Sequence, residues 1–383
     1  MTCFRHLVVP LAMAAIGAVT AWAQPDASKA GGKWVLRYEH DVDNESLELV
    51  DLQFPSAQRG IAVGLRTIKT RTRPVALVTS NGGKTWEWVN LDAPPVSLFF
   101  LDDSTGWVVT TKGLYQTVES GRSWKKQKAP KDILRVYFQT PERGWAIGLR
   151  KAFYETSDGG ASWRRVEAAE KPEGRPEYTF YSWMTFANPK YGVVVGSSRP
   201  PRPGRHLPIW LDPEGASRRR ELPALTIMLQ TSDGGNTWQH SVASLFGQIT
   251  RLRVLGPRGL GLFEFQNRFV YPSEVVRVDM DKGKSETVFH RKDRAVTDVI
   301  AFPDGTAYLA GYEPVGEIAA LPVPGKLRML TSTDPDWKHW VEMPADYRAV
   351  ANRVVLAASD ADNVWAATDT GMILKLEKSA ASK

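Results

Sequence analysis

Cysteine is almost missing from this 383-residue chain, the single example being Cys3 near the amino terminus. A lone thiol excludes a disulfide framework and thiolate metal clusters, so stability must come from burial. Histidine is scarce as well. Beyond the first residues only His40, His206, His240, His290 and His339 remain, no two of them at metal-ligand spacing, so neither a metal nor another cofactor is expected. The sequence also has no phosphate-cradling glycine loop, no nucleophile elbow and no calcium-loop pattern. Long apolar runs are missing beyond residues 7–19, a stretch too short to span a bilayer, which argues against a stable membrane span.

What the amino terminus does hold is Arg5 and His6, that apolar run, and Ala21-Trp22-Ala23. This is the layout of a secretory signal peptide over residues 1–23. The reading predicts cleavage near Ala23, loss of Cys3, a flexible segment at 24–32, and a secreted or periplasmic mature protein. A propeller is expected over residues 33–378, followed by a short tail at 379–383.

Fourteen tryptophans are a high count, and their spacing explains it. Thr79-Ser-Asn-Gly-Gly-Lys-Thr-Trp86, Thr156-Ser-Asp-Gly-Gly-Ala-Ser-Trp163 and Thr231-Ser-Asp-Gly-Gly-Asn-Thr-Trp238 are close to identical. Thr117-Val-Glu-Ser-Gly-Arg-Ser-Trp124 keeps the frame with Glu119 in the acidic position, and Thr331 to Trp337 is a decayed copy. Trp86, Trp124 and Trp163 recur about every 38 residues, the interval of a propeller blade. Asn81, Asp158 and Asp233 suit a tight turn because their side chains accept backbone N–H groups, glycine supplies positive φ, and the tryptophan starts the next strand as a plug. These residues are expected to be structural rather than catalytic. Strand signals starting near Leu49, Val96, Leu134, Trp183, Ile249, Val296 and Val354 give an all-β, seven-bladed β-propeller of four-stranded blades. The last repeat stops one strand short, and Lys33-Trp-Val-Leu-Arg-Tyr38 is predicted to supply that strand and close the ring.

In such a blade the repeated turns join the third and fourth strands and share one face. The insertions lie between second and third strands, at residues 67–74, 197–222 and 313–325, and so occupy the opposite face. Arginine gathers there. Arg66 and Arg150 follow Val63-Gly64-Leu65 and Ile147-Gly148-Leu149, Arg199 holds a similar place, and Arg71, Arg73, Arg202 and Arg205 lie in the insertions. With a net charge of +7, this rim is expected to bind a protein, or an anionic envelope or glycan partner. Nucleic acid is not expected, because the aromatics sit in core positions rather than among the arginines. The protein is read as a monomer.

The pattern Gly144-Trp-Ala-Ile-Gly148, then Thr156-Ser-Asp-Gly-Gly160 and Trp163, resembles the Asp-box repeats of the photosystem II stability and assembly factor family. The resemblance implies an exported seven-bladed propeller that scaffolds assembly, with Arg66, Arg150 and Arg199 as candidates for a partner-binding patch. The alternative is a carbohydrate-active enzyme, such as a sialidase-like glycosidase, or a lectin, since Asp-boxes also occur there. Catalysis would need acidic or phenolic groups facing the channel, and Glu264, Tyr271 and Glu274 are the best candidates.

Overall fold

The computed structural model describes residues 31–200, 223–265, 270–318 and 321–378. They form seven antiparallel sheets arranged as blades. The innermost strands are Glu45–Gln53, Pro95–Phe100, Ile133–Phe138, Thr179–Phe186, Gln248–Leu255, Ala295–Ala301 and Val354–Asp360, and each lies beside the next round the ring. Each blade then runs outward in chain order. The last blade borrows its outermost strand from the amino terminus, where Gly32–Glu39 pairs antiparallel with Met372–Lys378. Trp34 secures this closure. It is 1% exposed, meets Tyr308 edge-on, and its backbone N–H donates to the Pro344 carbonyl.

Blades are joined by an aromatic unit whose spacing follows the repeat. A second-strand tryptophan stacks on the phenylalanine ending the next blade's innermost strand: Trp365 on Phe54 at 3.6 Å, Trp107 on Phe138 at 3.8 Å, Trp145 on Phe186 at 5.0 Å. The repeat tryptophans Trp86, Trp163 and Trp238 then meet those phenylalanines edge-on. Such pairs contribute about 0.5–1.5 kcal/mol each beyond burial. Gly60, Gly106, Gly144 and Gly192 open the second strands because each phenylalanine ring lies where a Cβ would be.

A second device shapes the centre. Six innermost strands carry a β-bulge at an equivalent place, at Val50, Val96, Leu134, Ser182, Thr250 and Thr297, whereas the seventh carries its own near its end, at Ser359. In four blades a glycine opposes the bulge, and a Cβ at Gly64, Gly148, Gly196 or Gly311 would collide with the carbonyl of Glu48, Asp132, Phe180 or Ala295. The bulge shifts side-chain phase. It thereby places Asp51, Ser97, Arg135, Trp183, Arg251 and Asp298 at one equivalent position round the central channel.

The first insertion is not a loop. Its residues continue the second and third strands as a paired hairpin, with Thr67 opposite Thr72 and Ile68 opposite Arg71, turning at Lys69 with φ 55°. The β-branched Thr67, Ile68, Thr70 and Thr72 favour extension. The sixth-blade insertion folds a small hairpin of its own, Glu317–Ile318 against Leu321–Pro322. No described helix is long and apolar enough to cross a membrane.

Candidate functional site

The repeat segments form the turns between third and fourth strands, on the face opposite the insertions. In the third blade the Thr156 hydroxyl donates to Asp158 at 2.8 Å and accepts the Gly160 N–H at 2.9 Å, while Asp158 accepts the Ser162 N–H at 2.9 Å. Thr231, Asp233, Gly235 and Thr237 repeat the arrangement, as do Thr79, Asn81, Gly83 and Thr85. In the second blade Ser123 bonds Glu119 and Ser120 takes up φ 57° where the other repeats have glycine. Bonds from Ser162 and Thr237 hold the Asp158 and Asp233 carboxyls down at about 2. Trp124 packs edge-on against Phe100, and Trp163 donates to the Lys128 carbonyl. These carboxylates are occupied within their own turns.

On the insertion face the arginines divide. The Arg66 guanidinium is held by Glu45, its Nε donating at 2.8 Å, and lies 4.8 Å from the Trp88 ring centroid. Arg71 and Arg73 are exposed on the hairpin and have no carboxylate within ion-pair distance among the described residues. Arg150 is exposed in a two-residue turn closed by the Ala152 N–H on the Leu149 carbonyl. There Arg150 and Lys151 both have left-handed φ, 54° and 58°, a conformation that costs ordinary residues roughly 1–2 kcal/mol each. Lys151 holds the turn: its side chain is buried and Nζ donates to the Glu170 and Pro172 carbonyls at 3.1 and 2.8 Å. Arg199 follows the second strand of the fourth blade, its N–H on the Tyr178 carbonyl. Arg202 and Arg205 lie outside the described residues.

Sequence reading missed that the second blade fills the gap between Arg73 and Arg150. Lys112 lies in its second turn on this face, and Lys128 and Lys131 in the connection to the third blade. All are exposed, and none has an ion-pair partner among the described residues. Exposed Trp88 and Leu149, 39% and 45% accessible, lie beside this basic arc.

The channel holds what the bulges put there. Asp51 accepts the N–H of Leu52 and, from the next blade, that of Leu98 at 2.9 Å. Asp298 does the same for Val299 and Leu356, and also accepts Arg251 Nε at 3.2 Å. Both carboxylates thus cap free inner-edge donors and tie blades together. Arg135, Arg251 and Arg253 crowd one indole, their guanidinium carbons 4.2, 4.5 and 5.0 Å from the Trp183 ring centroid. Arg135 also reaches Asp51 at 3.7 Å from two blades away.

The fifth-blade candidates do not converge on this channel. Glu274, on the third strand, accepts the Thr287 hydroxyl from the outermost strand, and Tyr271 packs on His290 at 4.4 Å. Glu264 ends the second strand. No group of metal-binding side chains occurs among the described residues.

No family model matches the chain, and no curated protein matches it. Solved structures do. YCF48 bound to a D1 peptide is 16% identical with a TM-score of 0.56, over 89% of this chain and 99% of that one. YCF48 from Cyanidioschyzon merolae is 15% identical with a TM-score of 0.57, over 90% of this chain and 98% of its own. The chain shares the seven-bladed fold of YCF48. The extracellular domain of the putative one-component system BT4673 from B. thetaiotaomicron is also similar, at 10% identity and a TM-score of 0.52, over 89% of this chain and 39% of that one. At these identities the likeness to YCF48 and to BT4673 is one of architecture.

Proposed function

We propose that this is an exported, non-catalytic binding or assembly propeller whose insertion face recognises an anionic segment of a protein partner. The observation that carries this reading is the arc of exposed, unpaired cations across three blades: Arg71 and Arg73, Lys112, Lys128 and Lys131, then Arg150. These cations outnumber the exposed carboxylates Asp92 and Asp132 of the same connections, and an arc of this kind beside Trp88 and Leu149 suits electrostatic capture followed by apolar contact. The strained turn supports it too, because left-handed non-glycine residues persist where the surroundings enforce them, often at ligand clamps. Arg66 would act from behind, as an arginine already locked in place. The channel favours binding over hydrolysis, since both of its buried carboxylates are occupied by backbone donors and arginine. YCF48 has been solved with a D1 peptide bound, so a propeller of this architecture can present a peptide site.

The test is capture from envelope extract by the wild-type protein and by the variant Arg71→Glu, Arg73→Glu, Arg150→Glu. The reading expects a specific protein band that the triple reversal removes. Undiminished capture would overturn it. Export is tested by amino-terminal sequencing of the mature protein, expected to begin just after Ala23.

A further inference from the structure

The channel carries more positive charge than its carboxylates balance. Arg135, Arg251 and Arg253 surround Trp183, and Arg353 stands just before the innermost strand of the last blade, where the channel opens on the insertion face. Against these four stand Asp51, Asp298 and, beside Arg353, Asp369, and all three already serve backbone N–H groups. Among the described residues the Arg135 side chain makes no hydrogen bond, only the 3.7 Å approach to Asp51. The Arg253 side chain uses Nε alone there, on the Val299 carbonyl at 3.2 Å. Forked donors are thus left over beside one indole.

Loss of hydration holds Arg135 down to about 10 and lowers Arg253, with the neighbouring arginines adding to the effect. Guanidinium groups gathered in a poorly hydrated place are stabilised by a compact anion that accepts several N–H bonds at once. A carboxylate has two oxygens for this, a tetrahedral oxyanion four.

We propose that the channel is a binding site for a compact tetrahedral oxyanion of the phosphate or sulfate class, held by Arg135 and Arg253 over Trp183 and admitted past Arg353. The site is distinct from the basic arc on the rim and does not depend on the rim's partner. Arg251 is anchored to Asp298 and to the Thr250 carbonyl, and so acts as a fixed wall. Arg135, unanchored, is the residue that closes on the ligand.

The test is calorimetric titration of the full mature chain with inorganic phosphate, sulfate, acetate and chloride at matched ionic strength. Phosphate or sulfate should bind saturably at one site per chain, with acetate and chloride at least about tenfold weaker. Arg135→Gln, which removes no hydrogen bond, should weaken phosphate at least about tenfold. Arg353→Gln, outside the core, gives a second reading should the first variant fail to fold. The rim variant Arg71→Glu, Arg73→Glu, Arg150→Glu should keep phosphate affinity within about twofold, which separates this site from the proposed function. Absence of saturable phosphate or sulfate binding, or unchanged affinity in both the Arg135 and Arg353 variants, would overturn the proposal.

Discussion

Asp298 is 0% exposed and accepts two backbone N–H groups and Arg251. Replacing it with alanine would strand a buried guanidinium and two edge donors, and a loss of about 3–5 kcal/mol is expected by urea unfolding. The repeat-turn carboxylates act at lower pH. Asp158 and Asp233 have folded-state values near 2, below the ordinary 3.8, so their turns add stability at neutral pH. That contribution is lost as pH falls from about 4 through 2. Melting followed over that range should drop less steeply in the double variant Asp158→Asn, Asp233→Asn. The turn residues were legible because three near-identical copies display their chemistry side by side. Arg135, Trp183 and Arg251 were not, since in an alternating strand they look like any other residues. Only the glycine facing four of these bulges, as at Gly148 and Gly196, hints that the phase shifts there and turns the next side chain into the channel.

At the scale of elements, strand Gly32–Glu39 completes the last blade. A chain beginning at Asp41 should melt at a markedly lower temperature and expose the Met372–Lys378 edge, visible as concentration-dependent association. Trp34→Ala, emptying a site only 1% exposed, should cost about 3–5 kcal/mol. The missing final strand and the leading tryptophan made this closure readable in advance. The hairpin at residues 67–74 was not, because charged residues and a proline suggest a loop, while the pairing that extends the sheet depends on the register already set by Gly60 against Thr79. Arg66 shows the same limit. Its position at a strand end follows from spacing, but its partner Glu45 lies on the innermost strand, and cross-strand partners are not visible in a local pattern.

For the whole molecule, seven blades separate two jobs. On one face blades 1 to 4 repeat the same bonded turn, in which the side chains of Asn81, Glu119, Asp158 and Asp233 are each bonded within their own turn. The other bears the insertions, the strained turn at Arg150 and Lys151, and the unpaired cations of three successive blades. Blade 2, with no insertion, was invisible to a search for insertions, although Lys112, Lys128 and Lys131 complete the arc. The central claim is that this arc, and not the channel or the repeat turns, recognises an anionic segment. Its most direct test is fluorescence anisotropy with a labelled glutamate-rich peptide at increasing salt, comparing the wild type with Arg71→Glu, Arg73→Glu, Arg150→Glu. The account predicts wild-type affinity that falls with salt and a loss of at least about tenfold in the variant; equal affinity of the two proteins at low salt would contradict it.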